Sequence, residues 1–269
     1  RTRAPFFDIF RQGLEDPRLV LLRGELRALA VYGQRAARKE PTRLADSRVE
    51  GAGAFRQALV ALRGTAPSYT VGVEDFVPME TDFDRTAQQK NWMPFVHDGK
   101  LHVVYQLVPS MKVLVVDETV GSAFLEHETA ADAALRALQQ AEVRGGSPCV
   151  HLPDRHMYLG VAHVSRGRSM YTHFFFAFAD TPPFSMLSVS REWCLAHEET
   201  FQSGKELLCE GVQFVSGLAL SPGNASLLMT YGVMDCDARI VRIPVQNALK
   251  SLKLGGDKPR SGSRGDGEL

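Results

Sequence analysis

The feature that most restricts this chain is a repeated pattern of short apolar runs, each followed by a tight-turn signal and another short run. Leu19 to Leu22 and Leu26 to Tyr32 lie either side of Arg23-Gly24-Glu25. Phe95-Val96 and Leu101 to Gln106 flank His97-Asp98-Gly99-Lys100, and Asp-Gly between apolar runs is among the stronger hairpin signals. Lys112 to Val116 supplies a further strand. His156 to His163 and Tyr171 to Ala179 repeat the pairing around Arg166-Gly167-Arg168, and Val212 to Leu220, Leu227 to Gly232 and Arg239 to Ile243 close the series. Such runs read as antiparallel strands. The hairpins recur at roughly 50 to 75 residues, a spacing compatible with blades that carry loops. The expected fold class is all-β, a β-propeller with helical insertions, with a β-sandwich as the alternative.

Two stretches interrupt the pattern. Residues 34–70 hold several arginines and then an apolar stretch from Phe55 to Leu62, and read as an insertion with a short helix. Residues 123–142 are rich in Ala, Leu, Glu and Gln and read as a second, helical insertion by propensity. The tail, 255–269, is Gly, Ser, Lys, Arg and Asp and is expected to be disordered, which leaves 1–254 as the propeller domain. A chain of 269 residues is ample for a large core. Its 31 basic and 31 acidic side chains cancel, so no nucleic-acid partner is expected. No apolar run approaches the ~20 residues of a membrane span. The first residue is Arg1, and the chain reads as part of a longer polypeptide. The four cysteines form no CxxC pair, so no metal site is expected, and buried free thiols are favoured over one or two bridges. Asn224-Ala225-Ser226 is a glycosylation sequon, which tilts the expected location toward the secretory pathway or Golgi rather than the cytoplasm. No phosphate-cradling GxGxxG or P-loop appears, and no cofactor is expected.

Several segments together carry a resemblance. They are Glu15-Asp16-Pro17-Arg18 before a hairpin, Lys90-Asn91-Trp92-Met93-Pro94-Phe95 before the Asp98-Gly99 hairpin, and Gly145-Gly146-Ser147-Pro148 before a strand ending in His163. Pro182-Pro183-Phe184 leads to Ser188-Val189-Ser190, and Phe214-Val215-Ser216-Gly217-Leu218 is followed by Tyr231-Gly232-Val233-Met234-Asp235-Cys236-Asp237. In order and spacing over residues 15–243 these resemble the five-bladed propeller clan of carbohydrate-active enzymes. Within it they are most similar to the family of inverting mannoside phosphorylases with its related hydrolases and mannosyltransferases. One departure is that only 14 residues precede the first segment. Either part of the first blade is missing from this chain or the ring closes differently, and residues 34–70 match nothing in the family pattern.

The resemblance implies glycosyl cleavage or transfer with inversion, on an oligosaccharide or glycoside such as a β-mannoside. That chemistry needs a proton donor at the leaving oxygen and an activated nucleophile. The family's donor matches Asp16, which Pro17 holds extended. Arg18 is a substrate contact or a partner of Asp16 or Glu15; in the latter case it would depress the carboxyl pKa, the wrong direction for an acid. The resemblance assigns Asp235 to sugar hydroxyls, against an Asx turn; Asp237 with Arg239 reads as a surface ion pair. Lys90, His163 and Tyr231 form an anion set that would hold inorganic phosphate as a co-substrate. Asn91 lies on the same segment as Lys90. Trp92 and Trp193 either stack on a sugar face or fill the core. His173 alternates with apolar residues and reads as a strand histidine. Ser147 lacks a nucleophile elbow, and its neighbouring glycines read as positions of close backbone approach or tight turning. The alternatives to an enzyme are a non-catalytic sugar-binding propeller module of a larger glycosyltransferase and a protein-interaction propeller.

Overall fold

The computed structural model describes residues 14–34, 54–81, 90–137, 142–165, 171–195, 212–234 and 236–252. The first sheet contains β1 (Glu15–Leu22), β2 (Glu25–Gln34) and β3 (Ala54–Ala61). A small exposed hairpin, β4 (Arg63–Thr65) and β5 (Ser68–Thr70), precedes its fourth strand, β6 (Phe76–Thr81). The order β1-β2-β3-β6 is antiparallel throughout. The second sheet is a meander of β7 (Met93–His97), β8 (Lys100–Gln106), β9 (Ser110–Asp117) and β10 (Ser122–Ala130). A short parallel contact of Glu80 and Thr81 with Ser122 and Ala123 joins the outer strands of these two sheets. After a five-residue helix, α1 (Ala133–Ala137), comes the third sheet. Here β11 (Glu142–Gly145) and β12 (Val150–Leu152) both pair with β13 (Met157–Ser165), followed by β14 (Tyr171–Ala179) and β15 (Met186–Val189). The fourth sheet is β16 (Gln213–Leu220), β17 (Ser226–Val233) and β18 (Asp237–Pro244), and α2 (Val245–Ser251) follows it.

The turn chemistry explains the hairpins. Arg23 and Gly24 (φ 51° and 82°) close β1 onto β2, and Asp98 and Gly99 (φ 49° and 71°) close β7 onto β8. Two consecutive positive φ values give the turn whose twist matches the flanking strands.

The sheets stack face to face, and the side-chain alternation of a strand, with a period of two, divides each sheet between two neighbours. In β14, Phe174, Phe176 and Phe178 pack with Met93, Phe95, Val104 and Tyr158, toward the second sheet. Phe175 and Ala177 pack with Val215, Leu218, Leu227 and Met229, toward the fourth. That two-sided burial is why β14 reads as an unbroken apolar run. A third core, of Leu22, Leu29, Leu59 and Met79 with Trp92, Leu101 and Leu114, joins the first and second sheets. Innermost strand β1 lies against both β7 and β16. The fold is thus an all-β propeller, and the described residues supply four of its sheets, called blades below in chain order.

The seam between the fourth and first blades differs from the other three. The face of β1 turned away from the second blade leaves Leu21 64% exposed, and the face of β18 turned away from the third leaves Ile240 65% exposed. No apolar cluster of the described residues joins these two faces.

Two expected insertions are corrected. The Phe55–Leu62 stretch is no helix: β3 covers most of it and forms the third strand of the first blade, between β2 and β6. Residues 122–130 form β10, paired along its length with β9, and among the described residues of this stretch only Ala133–Ala137 is helical. Pairing and burial within a blade outweigh helix propensities of a few tenths of a kcal/mol per residue. The expected tail at 255–269 lies outside the described residues, as does the Arg166-Gly167-Arg168 turn. No helix among the described residues is long and apolar enough to cross a membrane.

Candidate functional site

Asp16 stands at an irregularity in β1. The register with β2 shifts between Glu15 and Arg18, and Asp16 itself takes φ 49°, left-handed and not the extended conformation expected before Pro17, because the bulge overrides that local preference. Pro17 has no N–H to give to the ladder, so a bulge here costs the sheet no bond. Asp is among the few residues that accept the left-handed region readily. The bulge resets the alternation, so Arg18 points wholly inward while Asp16 stays half-buried at the surface of the ring.

Two cavities flank this point. The larger, about 1000 Å³, fills the open seam between the first and fourth blades and is lined by Glu15, Asp16, Tyr231, Asp237, Arg239 and Ile240 among others. Three carboxylates therefore share one cleft with a phenol and a guanidinium. Asp237 and Arg239 form the expected surface ion pair, 3.5 Å apart. The smaller cavity, about 340 Å³, lies between the second and third blades, with Lys90, Asn91, Tyr105, Gln106, Glu142 and Arg144 on its walls. Arg144 is paired with Glu142. Both cavities adjoin Arg18, which touches Asp16 on one side and Asn91 on the other.

The expected site residues separate into three groups. Asp16 and Tyr231 come together in the larger cavity. Lys90 and Asn91 line the smaller one. Arg18, Trp92 and His163 are inside the protein. Arg18 has no exposed surface, and its donors go to the carbonyl oxygens of Gly146 (2.5 Å) and Asp16 (2.8 Å) and to Asn91 Oδ1 (3.2 Å). It reaches neither the Glu15 nor the Asp16 carboxylate by a hydrogen bond, and burial pulls its pKa down to about 10 against a smaller opposing pull from Asp16. Trp92 is 1% exposed and packs edge-on against Tyr105 in the core between the first two blades, so its ring offers no face to a sugar. His163 lies opposite His173 in the β13–β14 ladder, between Tyr171 and Phe214. Burial first, then the nearby His173, Arg144 and Arg18, push its pKa down to about 3. A neutral buried imidazole brings no charge to an anion, and the Lys90, His163 and Tyr231 set is not assembled at one place. Asp235 lies outside the described residues; its sequence neighbour Cys236 lines the larger cavity.

His173 is a buried strand histidine stacked on Trp193, and its pKa is pushed down to about 4 by burial. Ser147 is fully buried, donating to the Pro148 carbonyl and accepting from the Val161 N–H. Cys149 and Cys236 are free thiols, whereas Cys194 is disulfide-bonded, a correction to the expectation of free thiols throughout. No cluster of three or more His, Cys, Asp or Glu side chains suited to a metal ion occurs among the described residues.

What sequence reasoning passed over is the ring's centre. Gly146 and Phe214 sit on segments singled out for resemblance, but nothing local marks them as partners of a residue 128 or more positions earlier.

No family model and no curated protein matches this chain. Among solved structures, it is similar to a glycosyl hydrolase from Bacteroides ovatus, at 8% identity and a TM-score of 0.46, covering 87% of this chain and 85% of that one. It is also similar to an alpha-L-arabinofuranosidase from Lactobacillus brevis, at 13% identity and a TM-score of 0.50, covering 85% of this chain and 71% of that one. At such identities the second likeness speaks for the fold, an all-β propeller.

Proposed function

We propose that this chain is a carbohydrate-active propeller that cleaves or transfers a glycosyl unit in the cleft between its fourth and first blades. One observation carries the reading: a left-handed bulge turns Asp16 into a cavity of about 1000 Å³ that also holds Glu15, Tyr231, Asp237 and Arg239. Glycoside chemistry needs a proton donor and a second group that activates or replaces the nucleophile. Asp16 is assigned as the donor. Carboxylates and a phenol across the cleft suit sugar hydroxyls, since carboxylate oxygens accept from vicinal diols. Fold-sharing with an arabinofuranosidase supports a glycoside as the substrate class. Inversion and a β-mannoside are the finer proposal, drawn from the Glu15-Asp16-Pro17-Arg18 and Tyr231–Asp237 segments. Water or a sugar hydroxyl is the natural acceptor, because the residues assigned to phosphate are dispersed. Phosphate remains a testable co-substrate through Lys90 and its neighbour Arg144.

A second reading, a sugar-binding module without turnover, is favoured by the burial of Arg18, Trp92 and His163, which removes three expected contacts from the cleft. The discriminating experiment offers the purified protein β-linked mannosides and α-L-arabinofuranosides, with and without inorganic phosphate, and follows the product anomer by NMR. Turnover that falls by about 100-fold or more in Asp16→Asn, with binding retained, supports the assignment. Binding without wild-type turnover establishes the module instead, and absence of both removes sugar chemistry from the cleft.

A further inference from the structure

Arg18 joins all four described blades. It belongs to β1 of the first, it donates to Asn91 at the start of the second and to Gly146 in the inner segment of the third, and its guanidinium carbon lies 5.4 Å from the centre of the Phe214 ring of the fourth. Its third hydrogen bond returns to the Asp16 carbonyl at 2.8 Å. Asp16 and Asn91 are both non-glycine residues in the left-handed region, at φ 49° and 66°; Asp16 is the second residue of β1, and Asn91 lies two residues before β7. Asp and Asn enter this region more readily than other residues with a side chain, but neither is held there by its own conformational preference. A fully buried guanidinium is strongly unfavourable unless its donors are satisfied. Each side therefore needs the other: carbonyl and amide oxygens satisfy the charge, and the charge fixes two left-handed turns.

We propose that Arg18 is a positioning residue for Asp16: by clamping the Asp16 carbonyl to Asn91 and Gly146, it fixes the bulge and so sets where the Asp16 carboxyl stands in the cleft. The inference rests on the glycosyl-transfer reading for its catalytic consequence, while the clamp itself is independent of any substrate. Planarity matters here. Nε and two terminal nitrogens of one rigid fork serve three acceptors, which an ammonium on a flexible stem cannot reproduce.

The test uses the full chain with Arg18→Met, Arg18→Lys and Asn91→Ala, and reads three quantities. The first is hydrogen exchange of the peptide covering residues 14–18 in the folded protein, with β13 and β14 as an internal reference. Arg18→Met is expected to speed exchange there by about tenfold or more, the worth of a charged hydrogen bond, while the reference strands stay protected. Asn91→Ala, which leaves the charge and removes one acceptor, is expected to give a smaller rise confined to the same peptide. The second is the kinetic split on the substrate turned over by the wild type: kcat falls about tenfold or more with KM within about threefold, since the donor is displaced and not the binding surface. The third is rescue, with Arg18→Lys recovering the urea midpoint but less than half of the lost kcat. Unchanged exchange at 14–18 in Arg18→Met overturns the clamp. Exchange raised equally in the reference strands, or full kinetic rescue by lysine, reduces Arg18 to bulk structural support and also overturns it. Should Arg18→Met fail to fold, Asn91→Ala decides by the same exchange measurement. If the wild type turns over no glycoside, the functional reading fails alone and the exchange result still decides the clamp.

Discussion

Gly145 and Gly146 show how little room single residues have at the centre of the ring. A Cβ on Gly145 would stand 2.0 Å from the Asn91 carbonyl oxygen, and one on Gly146 2.7 Å from that of Val161. Both neighbours are backbone, so neither can move aside cheaply. Gly145→Ala is expected to lower stability by at least about 2 kcal/mol, read as a drop in the urea midpoint at unchanged slope. A midpoint within error of the wild type would mean the blades part more easily than their packing indicates. The segment Gly-Gly-Ser-Pro announces a tight approach in the sequence, but which chains approach is invisible there. The same limit applies to Arg18. Its neighbour Pro17 marks Asp16 for attention, whereas the partners that define Arg18 lie 73 and 128 residues away.

Strands with two apolar faces or a strong turn were legible one element at a time. The β7–β8 and β1–β2 hairpins follow from Asp98-Gly99 and Arg23-Gly24, and the β13–β14 and β16–β17–β18 ladders follow from their apolar runs. The segments of β4, β5, β6, β11, β12 and β15 were not legible as strands, and two more, β3 and β10, read as helical insertions for a common reason. The segments that become β3 and β10 mix Ala, Leu, Gln and Glu, residues at ease in a helix, and only the neighbouring strands make them extended. Gly99 gives a test of the turn reading. It has φ 71° with open space around the missing side chain, so Gly99→Ala carries strain without a clash. The expected loss is about 1 kcal/mol, measured by thermal unfolding. A loss of several kcal/mol would point to a contact at the hairpin tip instead of backbone strain.

For the whole molecule, the buried histidines set the response to acid. His163 and His173 are held neutral in the fold, with pKa values pushed down to about 3 and about 4. Once unfolded they titrate near 6.5, so below that pH the unfolded chain takes up protons that the folded chain refuses. Stability from these groups is complete above about pH 6.5 and is lost as the pH falls toward 4 and then 3. The urea midpoint is expected to drop between about pH 7.5 and about pH 5, and to drop less in His173→Gln, which cannot gain the charge. A midpoint flat over that range would show that the two rings accept protons in place.

Among the described residues the seam has no apolar filling, and the ring they form is a split washer. Three joints are glued by side chains, and the fourth is spanned by the innermost strands and Arg18. The lips of that slit carry Asp16 on one side and Tyr231 on the other. A sugar long enough to touch both would act as a clasp. Its expected signature is slower hydrogen exchange in β1 and β18 together, with the glued joints unaffected.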